Sequence, residues 1–387
     1  MTRVSPETRD AAAGASAVPV SAVPASAVSA SGAPVSGADS VSSSASAPAA
    51  RTVLLRGRGG RMLGLAIALA VLVLALLLSL VVGTRAIPAD EAWRYLWVND
   101  GGESAYIVRE MRLPRALLGL VVGCALGVAG ALIQALTRNP LADTGILGVG
   151  AGASFAIAIG VGFLGITSIH QYLWLSFGGA VLVTVLVYVL GSAGPRQATP
   201  IRLTLVGVAL GAVLGGFSGT IALLRPENFE KMRGWGVGSL AGRGWDVLAA
   251  VSPFILIGIV IAVGCAGALN AVALGDDLAR SLGANLAVVR ILVIIAVTLL
   301  AGAATGATGP IGFVGLMIPH AARWIVGPDQ RWILAYTIVC APILLVGADI
   351  IGRIMGGPIE LEAGIVTAFV GAPVLILLAR KRKLSGL

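Results

Sequence analysis

From residue 62 onward the chain is a succession of ten apolar runs, at about 62–83, 113–136, 145–166, 171–192, 202–224, 246–268, 287–307, 310–326, 332–352 and 361–379. About 20 apolar residues is the length a helix needs to cross the hydrocarbon of a bilayer. Every backbone polar group in hydrocarbon must find its partner within the protein, which leaves helices and closed barrels as the only spanning structures. Barrel strands would read as alternating segments of about ten residues, and these runs are longer and continuous. The fold class expected is therefore all-α, a polytopic membrane protein of about ten transmembrane helices. Composition excludes a soluble globule: charged residues make up 12% of the chain, against about 25% in soluble domains.

Two regions follow from the same reading. Residues 1–50 are Ala, Ser, Val, Pro and Gly with no aromatic residue, too poor in large apolar groups to offset the entropy of ordering. They are expected to form a disordered cytoplasmic tail, and 51–387 the transmembrane domain. The tail has no short apolar core of the signal-peptide kind, and the first run, after Arg51, Arg56, Arg58 and Arg61, suits an uncleaved first helix. With the N-terminus inside, 17 of the 27 Lys and Arg fall on the cytoplasmic side, Arg380 to Lys383 among them. That bias places both termini in the cytoplasm of a plasma-membrane protein. The net charge of +9 is dispersed between apolar runs, as membrane loops carry it, which argues against a nucleic-acid partner. Cys124, Cys265 and Cys340 lie far apart within apolar runs, so neither a disulfide framework nor a metal site is expected.

Glycine recurs at helical spacing as Gly119, Gly123, Gly127 in the second run and Gly207, Gly211, Gly215 in the fifth. Four-residue spacing aligns each set on one face. Such a ridge either lets a neighbouring helix approach closely or leaves room for a bulky solute beside it, and the fifth run is the preferred translocation path. Asn139-Pro140 and Gly309-Pro310 interrupt the apolar pattern, each followed by a glycine-rich start. In the assigned orientation the two breaks lie where an inverted repeat would put them, though chance would supply two such breaks in so glycine-rich a chain.

An ion-coupled carrier or channel, the alternative class, keeps an acid deep in its bundle. Of the 18 Asp and Glu only Asp349 falls well inside a run, one turn from Arg353, which reads first as a structural i,i+4 pair. Gln134 is expected to make an interhelical hydrogen bond, and His320 has no accompanying acid to form a relay. None of the three lysines follows a Gly and precedes Ser or Thr, so the chain has no phosphate-binding loop and is not expected to hydrolyse ATP alone. The inner loop 270–285 contains Asp276 and Asp277, which suit a helix start, and Gly283, which suits its stop. Leu274, Leu278 and Leu282 would line one stripe of that short helix, seated on a partner, on the bundle or in the headgroup layer. At the other side, ten positive charges gather in 84–112 and 225–245 and at Arg115 and Arg353. They are either tolerated there or face an acidic partner.

Taken in order, these residues resemble the permease subunits of iron-siderophore and vitamin B12 ABC importers, the FecCD type. The resemblance rests on Arg112-Leu-Pro-Arg115, Gln134, Arg138-Asn-Pro-Leu-Ala142, Gly145 to Gly152, Trp235 with Gly238-Ser-Leu240, and Leu274-Gly-Asp276 with Ala279-Arg-Ser-Leu-Gly283. It continues through Gly312 to Gly315, Pro319-His320, Arg323, Asp349 with Arg353, and Gly364 to Pro373. It implies a vitamin B12 permease-like fold. It also implies a second permease subunit, identical or homologous, two cytoplasmic ATPase subunits that use ATP and Mg, and an extracytoplasmic substrate-binding protein. The cargo implied is an Fe(III)-siderophore or a related chelate such as haem or cobalamin. Residue by residue, it implies binding-protein docking at Arg112, Arg115 and Arg353. ATPase coupling falls to Asp276, Leu278, Ala279, Arg280, Ser281, Leu282 and Gly283, and a path to Gly207, Gly211 and Gly215. Glu362 stands where the family often has Pro ahead of Gly364.

Overall fold

The computed structural model describes residues 54–382, apart from 56, 145–147, 167, 193–199, 225, 228–234 and 357–359. The expected tail, 1–50, lies outside the described residues. Among the described residues every regular element is helical. In chain order they are α1 (Arg58–Val81), α2 (Ala89–Trp97), α3 (Glu103–Tyr106), a π turn (Ile107–Arg112), α4 (Leu113–Thr137), α5 (Val149–Phe163) and α6 (Ile169–Ser192). There follow α7 (Pro200–Leu224), α8 (Trp245–Ala273), α9 (Asp276–Ser281), α10 (Leu286–Thr308), α11 (Val314–Val326), α12 (Gln330–Met355) and α13 (Ala363–Arg382).

Ten of these correspond to the ten apolar runs. Seven are long and apolar enough to cross a membrane, while α5, α11 and the apolar part of α13 are shorter. Both short helices α5 and α11 start after a residue in the left-handed region, Gly148 at φ 66° and Phe313 at φ 68°. The Phe313 conformation is uncommon for a residue with a side chain. Its ring occupies the space where Gly371 of α13 would otherwise carry a Cβ.

The core is built around α4, in which Leu118, Val122, Val128, Leu132 and Ile133 are fully buried. The glycine ridge of this helix serves packing. A Cβ on Gly123 would fall 2.6 Å from the Pro342 Cα, and one on Gly127 would fall 2.8 Å from Thr337 Cγ2. Gly130 lies against the Gly315 backbone at the start of α11. Close backbone approach of this kind replaces the hydrophobic effect as the source of helix association in lipid. Gln134 makes the interhelical bonds expected of it, donating Nε2 to Gly315 O at 3.2 Å and Leu316 O at 3.1 Å while Oε1 accepts from Arg323 Nη1.

Residues 84–112, expected as a loop, hold α2, α3 and the π turn. The π turn immediately precedes Pro114, whose missing N–H already breaks the regular ladder there. On α2, Ala92 and Tyr95 are buried against Ile87, Ala105 and Val108. His320 stands edge-on to Trp324 with ring centroids 4.8 Å apart, a packing contact within α11.

Candidate functional site

The residues singled out in the sequence gather at the two ends of the bundle and along one flank. At the end where α4 begins, Arg112 is 6% and Arg353 4% exposed. Arg112 Nη1 donates to Leu80 O and Val81 O, both at 2.8 Å, and its Nη2 donates to Arg85 O. Arg353 Nη1 donates to Ser79 O at 2.8 Å and Val82 O at 3.2 Å; its Nη2 reaches Ser79 Oγ and Asp349 Oδ2. The last carbonyls of a helix have no partner within it, and here two guanidiniums, from the π turn ahead of α4 and from α12, satisfy those of α1. Arg115 spends its fork on two carboxylates, donating Nη2 to Asp349 Oδ1 and Nη1 to Glu360 Oε2, each at 2.7 Å.

The sequence expects these three arginines to dock a binding protein; within the chain itself each also has internal partners. A buried cation needs its donors satisfied, and most of these are satisfied internally, while Arg353 Nε is buried with no hydrogen-bond partner among the described residues. Asp349, read as the partner of Arg353 alone, is shared with Arg115 across two helices.

At the end where α4 stops, α9 is framed by Gly275 at φ 115° and Gly283 at φ 83°, conformations glycine adopts without strain. Leu278 is 47% exposed on the helix itself. Leu274, before the helix, and Leu282, at its end, are 62% and 63% exposed. The apolar stripe is therefore presented to the surroundings, and Ala279 is the buried side of the turn. Arg280 pairs with Asp277 at 3.3 Å in the open, and Ser281 Oγ bonds Leu278 O.

Asp276 turns the other way, accepting from Arg138 Nη2 through Oδ1 and from Arg290 Nη2 through Oδ2. Partial burial pushes its carboxyl up, but the bonds and charges of Arg138 and Arg290 outweigh that and hold it below the usual carboxylate range. Arg138, the C-cap of α4 at φ 51°, also donates Nε to Val272 O at 2.8 Å.

Along the flank, the second glycine ridge opens as it runs. Gly207 is buried, a Cβ on Gly211 would sit 3.7 Å from Ala151 Cβ, and one on Gly215 would meet nothing within 4 Å. Val208, Val213 and Phe217 of the same helix are exposed.

Some features were not singled out by the sequence reading. Arg138 entered the sequence reading only as part of the motif Arg138-Asn-Pro-Leu-Ala142, and Arg290 was not singled out. Burial pushes the Asp143 carboxyl up, against hydrogen bonds from Thr144; its proximity to Gly315 follows from the meeting of α4 and α11 and left no local signal. For α2, a signal existed in Pro88 followed by Asp90 and Glu91, an acidic first turn ahead of the Ala92/Tyr95 spacing. Among the described residues no group of three His, Cys, Asp or Glu is arranged to hold a metal ion.

Comparison with known proteins adds a family to this geometry. The model of the FecCD transport family matches residues 71–381. The chain is 46% identical over 309 residues to the ferric enterobactin transport system permease protein FepD of Escherichia coli, covering 80% of this chain and 92% of that protein. It is 37% identical over 321 residues to the Fe(3+)-citrate import system permease protein YfmD of Bacillus subtilis, covering 83% and 95%. Among solved structures, a metal-chelate type ABC transporter in an inward-facing conformation superposes with a TM-score of 0.72 at 25% identity, over 83% of this chain and 98% of that one. With a family model spanning its whole described helical bundle but the first turns, and relatives matched over nearly their full length, the chain belongs to the FecCD transport family.

Proposed function

We propose that this chain is the membrane-spanning permease subunit of an ABC importer that moves an Fe(III)-siderophore, or a related metal chelate, inward across the plasma membrane. The relatives named above supply the cargo class. The observation that carries the mechanism is α9: three exposed leucines at one end of the bundle, Leu278 on this short helix and Leu274 and Leu282 flanking it. An exposed apolar cluster ringed by charge is the mark of a protein partner, and the partner we assign is an ATPase subunit. ATP, with Mg, is bound and hydrolysed there; this chain contributes no catalytic group. Closure of two ATPase subunits displaces α9 and shifts two permease subunits, identical or homologous, between outward- and inward-facing states.

The open half of the ridge, from Gly211 to Gly215, leaves the exposed face of α7 for the second permease subunit and the path between the two. A substrate-binding protein covers the opposite end. In this reading it docks at the rim that holds Arg112, Arg115 and Arg353, which also tie α1, α4 and α12 together there. Both termini lie in the cytoplasm. An ion-coupled carrier is disfavoured because Asp349, the acid deepest in a helix, is committed between Arg115 and Arg353 and is not free to bind and release a driving ion.

The test is uptake of an iron-loaded siderophore into proteoliposomes. Uptake is expected only with the ATPase subunits and ATP present. Uptake driven by an ion gradient without them would overturn the proposal.

A further inference from the structure

Six residues make α9 too short to hold itself together in isolation, and it hangs between two glycines in left-handed backbone conformations, Gly275 and Gly283. A Cβ at either glycine would meet nothing within 4 Å, so the surroundings do not grip the joints. A helix mounted in this way pivots when pushed unless something else fastens it.

We propose that Asp276 is that fastening: a positioning residue whose carboxylate, held between Arg138 and Arg290, transfers movement of α9 to the ends of α4 and α10. The inference rests on the reading of α9 as the ATPase contact and goes beyond it by naming the link into the bundle. Each oxygen of the carboxylate serves a different helix, Oδ1 taking Arg138 Nη2 of the α4 cap and Oδ2 taking Arg290 Nη2 of α10 at 2.7 Å. Arg138 is itself clamped, since its Nε donates to Val272 O at the end of α8.

From Arg138 the connection continues through bonds already described. Gln134, four residues back along α4, donates to two carbonyls at the start of α11 and accepts from Arg323 farther along it. Arg138 and Gln134 are joined by the last turn of α4 itself, so the proposed link runs through side-chain bonds at each end and a rigid helix turn between them. Further holds on α9 are the buried methyl of Ala279, the bond from Ala284 N to Ala279 O at 3.0 Å, and the bond from Gly275 N to Val272 O at 3.2 Å. None of these engages a side chain of α4 or α10, which Asp276 alone does from the first position of the helix.

The side chains of Asp276, Arg138 and Arg290 are 34%, 41% and 43% exposed. Ion pairs at that exposure add little to folding stability. Replacing the carboxylate is therefore expected to leave the fold intact and to show in coupling.

The experiment uses the complete importer in proteoliposomes, with permease, ATPase subunits and binding protein, and measures transport and ATP hydrolysis together. In Asp276→Asn, ATPase subunits are expected to co-purify at the wild-type ratio and to hydrolyse ATP. Transport per ATP is expected to fall about tenfold, within the usual range of coupling between sites. Asp276→Glu, which keeps both acceptor oxygens, is expected to recover at least half of the loss. A wild-type transport-to-hydrolysis ratio in Asp276→Asn, or no recovery in Asp276→Glu, overturns the positioning role. Loss of the ATPase subunits from Asp276→Asn also overturns it, by placing the carboxylate in docking itself. The docking reading fails separately, if Leu278→Asp with Leu282→Asp retains the ATPase subunits.

Discussion

Arg115 and Asp349 lie 234 positions apart in the chain and meet through three N–H···O bonds, Nη2 to Oδ1 at 2.7 Å and Nε to both carboxylate oxygens at 3.1 Å. Arg353 approaches the same carboxylate from the next turn of α12. One acid thus pairs with two arginines near the end of the bundle, and Glu360, paired with Arg115, supplies the second negative charge that balances them. Removing one member of a buried ionic group strands the others, at a cost of about 3–5 kcal/mol. Asp349→Asn is expected to lower the thermal unfolding midpoint of the detergent-solubilised protein well below that of Glu360→Gln, whose side chain is 26% exposed. Equal midpoints for the two variants would contradict the assignment.

The bonds from Arg112 to Leu80 O, Val81 O and Arg85 O make a different demand. An unsatisfied buried carbonyl costs about 1–3 kcal/mol, so Arg112→Gln is expected to loosen the end of α1. Amide hydrogen exchange over residues 78–85 should accelerate while the centre of α4 stays protected. Unchanged exchange there, with slower capture of the binding protein, would return Arg112 to a docking role.

The two glycine ridges separate on a single methyl group. In Gly123→Ala the new Cβ would fall 2.6 Å from the Pro342 Cα, a backbone atom that cannot swing aside. Overpacking of this kind costs about 1–3 kcal/mol. Gly215→Ala has open space within the subunit and is expected to leave monomer stability unchanged. Comparing the two unfolding midpoints checks the assignment of one ridge to packing and the other to an open face.

The orientation is checked with single cysteines at Ser104 and Ser281 in a background lacking Cys124, Cys265 and Cys340. An impermeant thiol reagent added to intact cells is expected to label the first and spare the second. Labelling of the second would invert the topology.

Features carried by a periodic run were legible in the sequence. The ten apolar runs became ten apolar helices, and the spacing of Gly119, Gly123 and Gly127 carried the face that meets α12. Gln134 could be read as an interhelical bond because an amide within a long apolar run has few other uses. What the sequence could not convey was direction at the ends. Arg112 and Arg353 look the same in sequence with or without bonds to the carbonyls of α1, and Arg115 with or without Asp349; only the fold brings Leu80 and Arg112 together. Asp276 looked like a helix-start acid, and its role as a bridge required Arg138 and Arg290 to arrive from two other helices. The stripe of Leu274, Leu278 and Leu282 was legible as a pattern, although the helix itself holds only Leu278 and the other two flank it.

The central claim is that α9 seats on an ATPase subunit, and site-specific cross-linking tests it most directly. A photo-reactive amino acid at Leu278, in membranes that contain the whole importer, is expected to give an adduct with the mass of permease plus ATPase subunit. The same probe at Val208, on the exposed face of α7, is expected to give none with that subunit. Absence of the ATPase adduct at Leu278 in membranes that transport the chelate would contradict the account.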